Sequence, residues 1–257
     1  MFIDTHLHLN SEKYGNYKEV IQRAKLFGVN KLITIGTSVK EIPEIKKIIL
    51  EDGVYGTLGV YPTLDEKYTT EDLKKILSEN IDKKIVGIGE CGFNQPLQEN
   101  DRDLKSQEEV FRMQIELAIE KNLPLVVHNR NSDRETLEVL NSYRNKNLRG
   151  EIHCFVSNYE FAKKILDLGF YLSFNGIVTY KSGIILHETI QKMPLDRMLF
   201  ETDAPHLSPE GMRKENNEPR NIPFIAESIA KIRGIELEEL SKKVYSNSLA
   251  LFDKISV

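Results

Sequence analysis

Six side chains in this sequence have the type and placement to hold divalent cations: His6, His8, Glu90, His128, His153 and Asp203. The first two lie in Phe2-Ile3-Asp4-Thr5-His6-Leu7-His8-Leu9-Asn10, where apolar and polar residues alternate as on a strand with two unlike faces. Alternation puts His6 and His8 on one face with Asp4 beneath them. An isolated His-x-His is common on a polar strand face. The other four residues change its meaning, because each closes a β-rich run: Ile85-Val-Gly-Ile-Gly-Glu90, Pro124-Leu-Val-Val-His128, Glu151-Ile-His153 and Leu199-Phe-Glu-Thr-Asp203. Four imidazoles and two carboxylates exceed the needs of one tetrahedral ion. They suit two divalent ions, with Glu90 as a bridge. Nitrogen and oxygen donors without thiolate admit Zn, Mn, Fe, Co or Ni, and Mg less comfortably. Such a pair acidifies a water and clamps an anionic oxygen, and Asp203 is the natural acceptor of the water's proton.

For these residues to meet, strand ends from the whole chain must reach one rim. The pattern supplies such strands at residues 2–10, 31–36, 54–60, 84–90, 123–129, 149–154, 170–174 and 197–202. Helical spacing fills the intervals: 16–28, 39–50, 72–79, 104–121, 132–143, 158–168 and 184–192, then 222–232 and 236–252. Pro43 suits a first helical turn, and Thr69/Thr70 with Glu71 and Asp72 form a capping-type start. Parallel strands need helical crossovers, and eight strand–helix units close naturally into a single-domain α/β fold, the (β/α)8 TIM barrel, over residues 1–257. A doubly wound open sheet is the alternative, weakened because the first strand–helix turn has no glycine fingerprint. In a barrel, the carboxyl ends of all strands share the rim where active sites form.

Parity then sorts the neighbours. Val86, Ile88 and Glu90 share one face, and Gly87, Gly89 and Cys91 the other. Cys154 likewise points opposite to His153, so both thiols are expected against the surrounding helices, with no catalytic part. Glu151 and Glu201 share parity with His153 and Asp203, one layer deeper, and are expected as hydrogen-bonded carboxylates behind them. His187, inside a helix, is expected to face solvent.

Composition bounds the rest. Thirty-five basic and thirty-nine acidic residues leave a net charge of −4. A nucleic-acid partner would therefore need a local basic patch or bound cations. Two cysteines make no disulfide framework, and no apolar stretch approaches about 18 residues. The expectation is a soluble, cytoplasmic protein with no membrane partner, monomeric by default.

The same residues resemble a known family, the TatD-type metal-dependent deoxyribonucleases of the amidohydrolase-like barrels. The resemblance is carried by Asp4-Thr-His-Leu-His8, Ile88-Gly-Glu-Cys-Gly92, Pro124-Leu-Val-Val-His-Asn-Arg130, His153-Cys-Phe155, Ser173-Phe-Asn-Gly-Ile-Val-Thr179 and Glu201-Thr-Asp-Ala-Pro205. Gln107-Glu-Glu-Val-Phe-Arg-Met-Gln114 and Asn217-Glu-Pro219 also look like family segments. The resemblance implies a TIM barrel with two divalent metals, His6, His8, Glu90 and Asp203 around one, and Glu90, His128 and His153 around the other. It implies hydrolysis of phosphodiesters, typically removal of nucleotides from the 3′ end of DNA. Related members are associated with removal of D-amino acids from charged tRNA. Several rim positions depart from the family pattern. Phe93-Asn94 stands where Leu-Asp is usual, Tyr61 where histidine is frequent, His206 where an aromatic is usual, and Lys214 where glycine is usual. They leave the water-activating set intact and bear on substrate preference.

Arg130 lies two residues beyond His128 and is placed to hold a phosphate oxygen. Arg213, Lys214 and Arg220 sit in the long loop after the eighth strand, within reach of a phosphate backbone. Asn94, Tyr61 and His206 are candidate polar or stacking contacts to a nucleotide. The expectation is thus a two-metal phosphodiesterase on DNA ends. The alternatives are an ester hydrolase on charged tRNA and a non-catalytic metal-dependent binding protein.

Overall fold

The chain builds its barrel from short apolar strands alternating with one-sided helices, as seen in a computed structural model that describes residues 1–64, 67–99 and 101–256. The strands are β1 (Phe2–Leu7), β2 (Val29–Thr34), β3 (Val54–Leu58), β4 (Ile85–Asn94), β5 (Leu125–Arg130), β6 (Gly150–Ile152), β7 (Tyr171–Phe174) and β8 (Met198–Phe200). They form one eight-stranded parallel sheet in sequence order. The ring closes just past β8, where Asp203 donates its N–H to His6 O at 2.9 Å and His8 donates to Ala204 O at 2.8 Å. The doubly wound alternative is excluded by that strand order.

The helices are α1 (Tyr17–Leu26), α2 (Ile42–Ile48), α3 (Thr70–Glu79), α4 (Leu104–Lys121), α5 (Asp133–Ser142), α6 (Tyr159–Asp167), α7 (Ile185–Lys192), α8 (Ile222–Arg233) and α9 (Leu237–Leu251). Their starts follow side-chain chemistry. Asn16, Asp103 and Asn158 each accept a first-turn backbone N–H, and Thr69 with Asp72 makes a reciprocal capping box at α3. The helix expected over 39–50 is instead a 3-10 turn, Val39–Glu41, followed by α2 with Pro43 in its first turn. Among the described residues, no helix is long and apolar enough to cross a membrane.

Two apolar clusters divide the interior. The larger lies between strands and helices. The smaller gathers Ile33, Tyr55, Val86, Val126 and Leu199, mostly from the amino-terminal halves of their strands, and is closed by Leu251, Phe252 and Ile255. Simple alternation does not hold along the strands. Register shifts occur between Asp4 and Leu7, Gly56 and Thr57, and Ile88 and Cys91. Val86 consequently joins the inner cluster while Ile88 packs in the outer one, although the sequence places them on one face. A register shift adds a residue to one strand and resets which side chains point inward.

Candidate metal centre

Strands β6 and β8 end earlier than the pattern suggests, and β4 runs on to Asn94. His153 and Asp203 therefore sit on the loops leaving β6 and β8, while Glu90 and His128 are held inside strands. Asp203 has φ +55° and Cys154 φ +45°, a left-handed conformation in which non-glycine residues are uncommon. Between β4 and β5 the approach is so close that a Cβ on Gly92, at φ +134°, would meet His128 O at 2.1 Å. Glycine at this point lets the strands bearing Glu90 and His128 come together.

All six expected residues converge on the floor of a cleft of about 1180 Å³. The Nε2 atom of His6 lies 3.5 Å from Glu90 Oε2 and 3.7 Å from Asp203 Oδ1. His8 Nε2 stands 4.0 and 3.3 Å from the same two oxygens. On the other side, Glu90 Oε1 is 2.8 Å from His128 Nδ1 and 2.9 Å from His153 Nε2, and those nitrogens are 3.1 Å apart. Atoms that share one ion at bonds of about 2.1 Å lie roughly 3–4 Å from each other, so both groups have the spacing of co-ligands. His6 is fully buried, and its Nε2 has no hydrogen-bond partner. A buried imidazole nitrogen left unpaired between two carboxylates is accounted for by a cation, so the residues fit a divalent metal, as the resemblance implies.

The charge balance agrees. Burial alone would raise Glu90, but the charge of His153 and the imidazole nitrogens of His128, His153 and His6 close around it hold it well below the usual carboxylate range. Burial likewise opposes ionisation of Asp203, which His8 and the surrounding imidazoles keep below its ordinary value. Burial pulls His153 down, yet Glu90 on one side and Glu201 on the other push it well above the histidine range. His6, stacked on His153 at 3.8 Å, is lowered by burial and by that neighbour's charge. A cluster this acidic draws positive charge in whatever form is at hand.

Behind this layer, Glu201 accepts from Cys154 N and Asn175 Nδ2, both at 2.9 Å, and stands 3.7 Å from His153 Nδ1. Glu151 is fully buried against Thr5. Both meet the expectation of carboxylates one layer deeper. Asp4 does not share the face of His6. The register shift turns it to Thr202, whose N–H and hydroxyl both donate to it, and burial pushes its pKa up to about 8. Cys91 is buried among apolar residues as expected, but Cys154 lines the cleft, because the chain has left β6 and parity no longer applies.

The rim residues divide. Arg130, Tyr61 and His206 line the cleft, and His206 Nδ1 lies 3.5 Å from Lys13 Nζ. Asn94 is turned to His128 Nε2 at 3.0 Å. Arg213 is placed elsewhere: it stacks 4.7 Å over the Tyr180 ring, beside Glu210. Arg220 pairs with Glu215 and Glu218, and Lys214 is exposed. Gln107 and Gln114, which bound one of the family-like segments, have a role the sequence reading did not assign: both are buried glutamines of α4. Gln107 Oε1 accepts the Asn94 N–H and Gln114 Oε1 accepts the Val60 N–H, both at 2.9 Å, which fixes the ends of β4 and the chain beyond β3. Their signal was present, since residues seven apart share a helix face and this face is otherwise apolar.

Barrel and donor set together define a metal-dependent hydrolase of the (β/α)8 type. Residues 3–253 match the family model described as TatD related DNase. A Bacillus subtilis protein named metal-dependent hydrolase YabD is 36% identical, covering 98% of this chain and 99% of its own. A Pantoea ananatis protein named 3′-5′ ssDNA/RNA exonuclease TatD is 33% identical, covering 98% and 99%. The solved structure of YjjV, a TatD homologue from Escherichia coli, superposes with a TM-score of 0.91 at 24% identity, covering 98% of each chain. This chain belongs to the TatD family.

Proposed function

We propose that this chain hydrolyses phosphodiester bonds at the 3′ end of single-stranded DNA, with two divalent cations held by the six converging residues. One observation carries the reading: the buried Nε2 of His6 faces two carboxylates with no protein partner, inside a ring of nitrogen and oxygen donors. Relatives at 33% and 28% identity named 3′-5′ ssDNA/RNA exonucleases support DNA as the substrate. His6, His8, Asp203 and Glu90 Oε2 make one donor group, and His128, His153 and Glu90 Oε1 the other. Two divalent ions there supply an acidified water and positive charge against the leaving oxygen. Asp203, kept ionised on the cleft wall, takes the proton from the attacking water. Arg130, exposed on the rim, offers its guanidinium to a phosphate oxygen. His206 presents a ring to the terminal nucleotide.

The test uses the purified chain loaded in turn with Mn, Mg, Zn, Co, Ni or Fe and a 5′-labelled single strand. Stepwise shortening that a chelator stops is the expected result. No shortening with any of these metals removes the nuclease reading, and faster release of a D-amino acid from charged tRNA in a matched assay replaces it.

A further inference from the structure

The two donor groups around Glu90 are unequal. One contains two carboxylates, Asp203 and Glu90, beside His6 and His8; the other contains Glu90 alone beside His128 and His153. The partners behind the rings differ as well. A carboxylate, Glu201, stands 3.7 Å behind His153 Nδ1. Among the described residues no carboxylate stands behind His128: its Nε2 lies 3.0 Å from Asn94 Oδ1 and 3.1 Å from the Tyr61 hydroxyl. That hydroxyl donates to the same Asn94 oxygen at 3.2 Å. An amide oxygen only accepts, so the arrangement is satisfied when Nε2 carries the hydrogen and the Nδ1 lone pair faces Glu90. The Asn94 backbone is itself clamped by Gln107, which accepts from its N–H at 2.9 Å. Its side chain is therefore delivered to His128 at a fixed height.

A carboxylate behind a metal-binding imidazole raises the basicity of the ring, whereas a neutral amide orients it without adding charge. We propose that Asn94 and Tyr61 are positioning residues that turn His128 Nδ1 into the cleft without adding negative charge. The His128–His153–Glu90 position then holds its ion more weakly than the His6–His8–Asp203–Glu90 position. The inference rests on the two-ion reading above. It makes filling sequential: the first ion stays with the protein, and the second exchanges with the medium.

The test is titration of the metal-free chain with Co²⁺, followed by calorimetry and by visible absorption of the bound ion. Two separated uptake steps are expected. Asn94→Asp keeps the side-chain shape, supplies the missing charge, and should tighten the second step about 10- to 100-fold while leaving the first nearly unmoved. Asn94→Ala should weaken the second step by a similar factor, and Tyr61→Phe by less. Uptake steps that Asn94→Asp leaves unmoved, or shifts equally, overturn the inference while leaving the two-ion reading in place. Unmoved uptake with a changed KM for DNA also overturns it, and assigns Asn94 to substrate. Absence of any uptake overturns the metal reading and the inference together.

Discussion

The two mouths of this barrel are made by the same strands under opposite rules. At the amino-terminal mouth, the end of the chain returns as a plug: Leu251, Phe252 and Ile255 pack on Ile33, Tyr55, Val86, Val126 and Leu199. Most of its polar atoms are paired, Tyr55 OH with Ser256 Oγ at 2.8 Å and the terminal nitrogens of Arg149 with Leu251 O, Asn122 O and Asp253 at 2.9–3.2 Å, with Arg149 Nε the exception. At the carboxyl-terminal mouth, buried His6, Glu151, His153 and Glu201 each keep an atom with no hydrogen-bond partner, and Asp203 and Cys154 hold left-handed backbone. Buried polar atoms without partners cost stability, whereas closely packed apolar side chains supply it. One mouth stabilises the fold, and the other uses that margin to hold largely buried charges together at the floor of the cleft. If so, changes at the two mouths should separate activity from stability.

The largest expected effect is on activity. Asp203→Asn should lower kcat by about 10²- to 10⁴-fold while substrate affinity is largely kept, because the proton acceptor is lost and the shape is not. Its thermal midpoint should stay at or above that of the parent. At the opposite mouth, Phe252→Ala should cost roughly 3–5 kcal/mol of unfolding free energy, since a fully buried ring leaves a cavity. Activity per folded molecule should then be unchanged at a temperature where the variant is folded. A Phe252 variant that loses rate in proportion to stability would show that the mouths are coupled.

Metal removal sharpens the same contrast from the functional side. An ion at a hundredfold excess over its Kd adds about 2.7 kcal/mol to the folded state, so a chelator should lower the melting temperature accordingly. The sign with pH follows from His8. Burial alone would lower it, but the Asp203 hydrogen bond raises it above the ordinary histidine value, so the metal-free site keeps a proton that an ion must displace. The stabilisation by metal should therefore shrink as pH falls through the raised His8 titration. Calorimetric melts with and without chelator across pH read this directly, and a difference that grows in acid would contradict it.

The asymmetry between the mouths also governs what could be read from the chain. Apolar and charged periodicity sufficed for eight strand–helix units, because strands buried on both faces and helices buried on one leave simple patterns. The six converging residues were legible because they end strands, and a barrel puts all those ends on one rim. Face assignments were less secure, since they assume unbroken alternation. The shifts at Asp4/Leu7 and Ile88/Cys91 come from three-dimensional pairing and have no signature in a single strand's pattern. Asp4 was misplaced for that reason, and Cys154 because β6 ends at Ile152, before alternation reaches it. Arg213 went astray differently, because a loop's course carries no period, and the Tyr180 ring that captures it is over thirty positions away in sequence.

Asp4 offers the finest test, because it sits at the working mouth but takes no place among the donors. Its folded pKa is raised to about 8 by burial, against an unperturbed value of 3.8. Below the lower value both states hold the proton and the stability linked to it is fully present. As pH rises toward 8, the unfolded chain ionises while the folded one stays protonated, so stability is lost at up to about 1.4 kcal/mol per pH unit. Asparagine cannot titrate, and it can still accept from the N–H groups of Thr202 and His6 and donate to the Thr202 hydroxyl. Metal-free Asp4→Asn should therefore gain about 1.4 kcal/mol over the metal-free parent between pH 6 and pH 7 in denaturant unfolding. An offset that is the same at both pH values would mean that Asp4 is already ionised in the fold, and that the working mouth carries its charges at less cost than its burial implies.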